Sequence, residues 1–156
     1  MRRRELKLAR AQRGVAIVEF AIALPLLLLL LLAVAEFGRM LYHYNSLMQA
    51  SRDASRYVAG QAWNSTLGEI ELADALMTQT RNIAVYGLPV VSSTPAVPDL
   101  TTDQVSVAVE PGTSDHIRVS ISYDFQPVIG DSIPAFIGKE ISLRVTLVAT
   151  TVMRVL

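Results

Sequence analysis

One carboxylate, Glu19, interrupts the apolar stretch that runs from Val15 to Ala35. An acidic side chain at the centre of a membrane-spanning helix costs roughly 2.5–3.5 kcal/mol even on insertion scales. A segment that served only as an anchor would rarely carry such a charge. Gly14 stands directly before the apolar stretch and five residues before the acid. This pairing indicates cleavage of the Gly14–Val15 bond and a role for Glu19 once the new N-terminus is free.

Glycine suits such a cleavage site because a residue without a side chain lets a catalytic centre approach the backbone closely. The alternative for Gly14 is a flexible joint before a helix. After cleavage, the amine of Val15 in a neighbouring subunit would neutralise Glu19 inside a helix bundle. Because the two charges offset each other's burial cost only in one register, the pair would favour alignment as much as affinity. The alternative for Glu19 is a carboxylate wetted by lipid headgroups.

The apolar stretch is long enough to cross a membrane. As a helix, residues 15–37 would extend about 34 Å, against a hydrocarbon core of about 30 Å. Pro25 lacks a backbone donor and its ring clashes with the carbonyl of Ala21, so we expect a bend or a loosened turn there. Whether such a kink helps packing or is merely tolerated stays open.

The first 14 residues form a basic leader. They carry six basic side chains and only one acidic side chain, Glu5. Basic clusters also occur in nucleic-acid-binding arms. Here the cluster adjoins a spanning segment, so the bias of Lys and Arg toward the cytoplasm places it inside the cell. Removing the leader would leave eight basic and thirteen acidic side chains out of fourteen of each, a charge of about −5 before the new amine is counted.

Two helices and a loop are expected after the span. Residues 38–60 continue the first helix with an amphipathic pattern, and Gly60 ends it. Residues 61–87 contain a second helix, starting at a capping box of Thr66 and Glu69 and ending near Gly87. Residues 88–104 form a Pro/Ser-rich loop. The predicted apolar stripe of the extension comprises Phe37, Leu41, Tyr44 and Met48, more loosely Ala54 and Val58, with Arg39, His43, Arg52 and Arg56 mainly elsewhere.

In residues 105–156 the period changes to two, which is typical of half-buried antiparallel strands. The runs begin at Val105, at Ile117 and at Ile141, and the third extends through Ala149 toward Val155. The sequence therefore predicts an α+β fold, with a long N-terminal transmembrane helix, its amphipathic extension, a second helix and a small antiparallel sheet of about three strands.

The N-terminal residues resemble the TadE-like family, the pseudopilins (minor pilins) of the Tad/Flp branch of type IVb pilus systems. The resemblance lies in the glycine, the glutamate five residues later with the aromatic Phe20, the basic leader and the apolar run. It includes Ala-Leu-Pro25 and Glu36-Phe-Gly-Arg39 with Leu41-Tyr42, and is weaker over Ala54-Ser-Arg-Tyr57 and at Met153-Arg154.

The resemblance implies a precursor that a membrane-embedded prepilin peptidase cuts after Gly14, and a subunit that supports pilus biogenesis and surface adhesion. It implies a single-pass protein of the bacterial inner membrane, with its N-terminus in the cytoplasm and its C-terminal region in the periplasm or on the pilus. Implied partners are the peptidase, the major pilin, other pseudopilins, the inner-membrane assembly platform and membrane lipid, with no nucleic acid.

Two alternatives remain open. Ala33-Val-Ala35 resembles a signal-peptidase site, and a cut before Glu36 would release a secreted periplasmic domain. An uncut chain would be a simple membrane-anchored binding protein. We predict no enzyme, cofactor or metal site, because His43 and His116 lie on different elements without a carboxylate at ligand spacing. The chain also lacks a nucleophile-elbow motif, and it contains no cysteine.

Overall fold

A computed structural model of the chain begins with one long helix, α1 (Arg2–Ala59), and ends in a small antiparallel sheet. The structure describes the backbone of residues 2–128, 130, 132–133, 141–142 and 144–155, and the side chains of residues 15–128, 130 and 144–155. The chain divides into two compact units, Met1–Gly38 and Arg39–Leu156. The predicted α+β class, with a long apolar N-terminal helix, a second helix and antiparallel strands, is confirmed.

The first unit is the N-terminal part of α1. Its large apolar side chains are exposed along most of residues 15–34. Pro25 lies inside the helix, which continues on both sides of it. This part of the chain therefore gains its helical order from backbone hydrogen bonds and from its own apolar side chains, without a packed core in the described unit.

In the second unit, the described residues form the rest of α1, a second helix and three small sheets. The order along the chain is β1 (Trp63–Asn64), β2 (Glu69–Ile70), α2 (Asp74–Tyr86), a 3₁₀ turn (Thr102–Gln104), β3 (Val105–Val109), β4 (His116–Asp124), β5 (Ser132–Ile133), β6 (Ile141–Ser142) and β7 (Thr146–Arg154). The main sheet has the strand order β3-β4-β7, and both pairings are antiparallel. Val107 lies opposite Val119, and Ile121 lies opposite Ala149.

One face of the main sheet is buried against the helices. In β4 the odd-numbered side chains from Ile117 to Tyr123 are buried, as the period of two predicted. The core is completed by side chains from both helices. Its fully buried members on the two helices are Leu47, Ala54, Val58, Ala84 and Val85.

Residues 38–60 are helical to Ala59, but the predicted apolar stripe is wrong in its first half. The side chains of Phe37, Leu41 and Tyr44 are exposed, whereas His43 and Leu47 are buried. The buried positions that follow are small, which lets α1 lie close to the sheet. They comprise Ala50, Ser51, Ala54 and Ser55. A stripe chosen by side-chain size therefore misses the face that the core selects.

The second helix begins at Asp74, later than the predicted capping box. The side-chain oxygen of Asn64 accepts hydrogen bonds from the backbone amides of Thr66 (2.9 Å) and Leu67 (3.1 Å). Asn64 thereby forms a tight turn between β1 and β2, so Thr66 lies in that turn and Glu69 lies in β2. The predicted end is confirmed, because Gly87 adopts a left-handed conformation (φ 72°) and its amide bonds the carbonyl of Ile83.

The third long strand also begins later than predicted. Ile141 belongs to β6 and pairs with Ile133, and β7 begins only at Thr146. Leu143, which the alternating pattern included, lies outside the described residues. From Leu147 onward the predicted phase is correct, because Leu147 and Ala149 are buried.

Candidate processing and assembly site

The residues that the sequence singled out lie along one stretch of α1. The Gly14–Val15 bond lies within the helix, and Glu19 and Phe20 follow one turn later. Val15 and Glu19 are four residues apart, so they lie on the same face with an axial separation of about 6 Å. The side chains of Val15, Glu19 and Phe20 are all exposed.

Glu19 is surrounded on its helix face by apolar side chains. Val15 lies one turn before it, and Ile22 and Leu26 lie one and two turns after it; all three are exposed. Between residues 15 and 35 the sequence contains no other ionisable side chain. In a bilayer or a helix bundle, this carboxylate would therefore be the one charge on an apolar surface, and it would need a cation brought by another molecule or water to solvate it.

Further along α1, Arg39 and His43 contact the end of β4. The His43 ring lies edge-on to Tyr123 and Phe125, with centroid distances of 5.8 and 5.6 Å. The guanidinium of Arg39 lies 4.7 Å above the Phe125 ring and donates a hydrogen bond to the backbone carbonyl of Gln126. Sequence reasoning placed Arg39 and His43 on the polar side of the helix, and this aromatic contact was missed.

Tyr123 is the largest fully buried side chain of this contact. Its hydroxyl donates to the carbonyl of Pro98 at 3.0 Å, which ties the loop after α2 to the sheet. Burial raises the pKa of Tyr123, and the negative charge of Asp99 adds to that increase, while Arg39 opposes it. The phenol is neutral at physiological pH, and its hydroxyl acts as a structural donor.

The small residues of α1 make hydrogen bonds as well as contacts. The hydroxyl of Ser51 lies 2.8 Å from that of Thr151 on β7, and Ser55 donates to the carbonyl of Ser51 at 2.7 Å. These bonds satisfy two buried hydroxyl groups at the helix–sheet contact. The weaker part of the family resemblance, at Ala54 and Ser55, thus falls on residues that pack α1 against its own sheet.

His116 does have a carboxylate neighbour, which the sequence reasoning overlooked. Its Nδ1 atom lies 2.7 Å from Asp115, and Nε of Arg154 lies 2.9 Å from the other oxygen of that carboxylate. The hydrogen bond from His116 is the main cause that lowers the pKa of Asp115. Within the part of the chain that the structure describes, no group of three or more His, Cys, Asp or Glu residues could hold a metal ion.

This arrangement defines a class of protein. Among the described residues, one helix is long and apolar enough to cross a membrane, and it lies near the N-terminus. The chain continues into a small α+β unit. By length and composition, this helix is suited to anchor the chain in a membrane.

Comparison with known proteins gives a family match for the N-terminal segment alone. Residues 14–56 match the family model described as TadE-like protein, which confirms the resemblance for the N-terminal segment. The match begins at the glycine of the candidate cleavage site and ends near the end of α1. No curated protein and no solved structure matches the chain. The TadE-like segment indicates a pseudopilin-type role associated with a Tad pilus.

Proposed function

We propose that this chain is a pseudopilin (minor pilin) of a Tad-type pilus apparatus, cut by a prepilin peptidase after Gly14 and inserted in the membrane by its N-terminal helix. In this role it supports pilus biogenesis and surface adhesion. Its partners are the peptidase, the major pilin, other pseudopilins, the inner-membrane assembly platform and membrane lipid.

The observation that carries the proposal is the position of Glu19 within the TadE-like segment. The acid lies one turn from Val15 on an exposed apolar helix. Cleavage would place a positive amine at Val15, and the same amine on a neighbouring copy or pilin would meet Glu19 when the helices are staggered by about one turn. The acid then favours one register of the bundle.

The exposed part of the second half of α1 supports assembly as well. Phe37, Leu41 and Tyr44 are spaced at three and four residues and are 56%, 44% and 39% exposed. They lie on a face of the helix that its own sheet leaves uncovered. Exposed apolar side chains at helical spacing are what packing against helices of other subunits requires.

The same proposal divides the chain into segments with different locations. Residues 1–14 are the cytoplasmic leader, residues 15–37 are the inner-membrane anchor and residues 38–60 are its extension. Residues 61–156 then lie in the periplasm or on the pilus. The basic leader supports this orientation, since Lys and Arg are retained on the cytoplasmic side.

The N-terminus of the mature protein tests the processing step. We expect mass spectrometry of the protein from its native host to show a chain that starts at Val15. Gly14→Leu should leave the precursor uncut. Gly38→Leu is the matched control in the same helix, because a Cβ atom at Gly38 would meet nothing within 4 Å. A start at Glu36 would indicate signal-peptidase release, and an intact Met1 would indicate a plain anchor; either result refutes the proposal.

The role of Glu19 needs a separate experiment. Glu19→Gln keeps the size of the side chain but removes the charge that would pair with the new amine. We expect normal cleavage and reduced recovery of the variant in sheared pili or in cross-linked complexes with the major pilin. Recovery equal to that of the natural protein would show that the charge has no part in assembly.

A further inference from the structure

A groove lies between the β1–β2 hairpin and the start of α2. Its volume is about 480 Å³, within the range of roughly 300–1,000 Å³ that is typical of small-molecule sites. The residues used below are Trp63 and Ala62 from the hairpin side, Glu71 from the connection to α2, and Leu76 and Gln79 from α2.

The groove combines an aromatic wall with a small apolar floor. Trp63, the only tryptophan in the sequence, keeps 43% of its surface exposed there. Ala62 and Leu76 are buried beneath the groove. An indole face carries a negative quadrupole and attracts the weakly positive C–H groups of a ligand that lies flat on it.

The polar groups at the groove are oriented by hydrogen bonds within the protein. The amide of Asn64 donates to Oε2 of Glu71 at 2.6 Å, which fixes the carboxylate. The hydroxyl of Tyr57 donates to Oε1 of Gln79 at 2.8 Å, so the NH₂ group of that amide is the donor on its other side. A carboxylate accepts more than one hydrogen bond, and an amide NH₂ group has two donors.

The charges of the groove select against anions. Its lining includes one carboxylate, several amides and a serine, but no lysine or arginine. Phosphate and carboxylate ligands would therefore meet a negative charge without a compensating cation. A neutral ligand with several hydroxyl groups suits these partners, because hydroxyl groups donate to Glu71 and accept from Gln79.

We propose that this groove binds a neutral hexose unit of a glycan, with one C–H face of the sugar ring on Trp63 and hydroxyl groups on Glu71 and Gln79. A pyranose ring has both an apolar face and an equatorial set of hydroxyl groups, so it matches the aromatic wall and the polar rim together. The proposal depends on neither cleavage at Gly14 nor entry into a pilus.

The experiment uses the emission of Trp63, which reports on this groove alone. The full chain is purified in a zwitterionic detergent without sugar headgroups and titrated with the methyl glycosides of glucose, galactose, mannose and N-acetylglucosamine. We expect a saturable change in emission for at least one of them, with a dissociation constant on the order of 1 mM for so small a ligand. No saturable change with any glycoside overturns the proposal.

Two matched variants locate the binding. Glu71→Gln can still accept the bond from Asn64 but loses the charge, and we expect it to weaken binding about tenfold. Glu69→Gln removes a charge from the same hairpin outside the groove lining, and it should bind as the natural chain does. Equal weakening by both variants, or by neither, overturns the assignment.

The variant Trp63→Ala has no tryptophan emission, so its sugar binding is measured by a second method. In Trp63→Ala, saturation transferred from protein to sugar protons should disappear in ligand-observed NMR, while circular dichroism shows an unchanged fold. Retained transfer would place the sugar elsewhere and overturn the proposal.

Discussion

Tyr123 holds three parts of the second unit together, so its replacement should separate the energy of a hydrogen bond from that of packing. Its ring contacts His43 of α1, and its hydroxyl donates to Pro98 in the loop after α2. The side chain is 2% exposed. Tyr123→Phe removes only the hydroxyl, whereas Tyr123→Ala also removes the ring.

The two variants should lose different amounts of unfolding free energy. A net hydrogen bond contributes about 0.5–1.5 kcal/mol, so Tyr123→Phe should lower the free energy of unfolding by about that amount. Truncation of a large buried aromatic residue costs about 3–5 kcal/mol, because a cavity adds to the lost burial. Tyr123→Ala should therefore leave the second unit marginal or unfolded at 37 °C.

The pH dependence gives an independent check on the same residue. The pKa of Tyr123 is raised above its ordinary value of 10.0, chiefly by burial. The folded state therefore favours the protonated phenol, and this contribution is complete below pH 10 and is lost as the pH rises toward the folded pKa. Because Tyr123→Phe cannot ionise, we expect its deficit in stability relative to the natural chain to shrink above pH 10.

Urea unfolding of the detergent-solubilised chain, followed by Trp63 emission, measures both effects. Trp63 lies in the hairpin of the same unit, so its emission follows the unfolding of that unit. Equal stability of Tyr123→Phe and the natural chain at neutral pH would refute the role of the bond to Pro98. A deficit that stays constant from neutral pH to pH 11 would refute the burial of the phenol.

Three further predictions follow from other contacts. Leu47 is fully buried, whereas Leu41 on the same helix is 44% exposed. In urea unfolding, Leu47→Ala should lower the free energy of unfolding by about 2–5 kcal/mol. Leu41→Ala should change it by less than about 0.5 kcal/mol, but should lower cross-linking to pilus partners. Gly87→Ala should lower the unfolding free energy by about 1–2 kcal/mol, since φ is 72° and only the backbone is strained. The lowered pKa of Asp115, due first to His116, means that its stabilisation is present above pH 3.8 and is lost as the pH falls below it. Asp115→Asn should therefore be less stable than the natural chain at pH 7, and this difference should shrink as the pH falls below 3.8. A difference in unfolding free energy that stays constant over that range would contradict the pairing.

The main sheet could be predicted because one of its faces is buried. A period of two survives in β4 and in β7 from Leu147 onward, since a shift of one residue would turn every apolar side chain toward water. The beginning of the third strand was misplaced because Ile141 belongs to a separate short pairing with Ile133. Local alternation does not reveal which strand is the partner.

In the helices, sequence patterns failed to predict the buried face of α1 and the start of α2. The buried face of α1 is marked by Ala54 and Ser55 and by an edge-on histidine, His43, none of which a search for large apolar residues would choose. The false capping box at Thr66 and Glu69 arose because Asn64 bonds the amide of Thr66 and closes a turn first. For the buried face of α1 a tertiary contact decides, and for the start of α2 a turn contact decides. The local sequence alone does not distinguish the alternatives in either case.

Some residues of the candidate site could be proposed from the sequence, whereas the role of others is visible only in the structure. Glu19 and Gly14 could be proposed from the sequence because a charge and a glycine stand out against an apolar background. Arg39 stood out only through the family resemblance, and the structure gives it a role in holding α1 to Phe125. The TadE-like match therefore covers residues in two different environments: most of those at 15–35 are exposed, and many of those at 39–56 are buried in the protein's own core. If this division is correct, Leu41 belongs with the first group and Leu47 with the second, although they are only six positions apart on one helix.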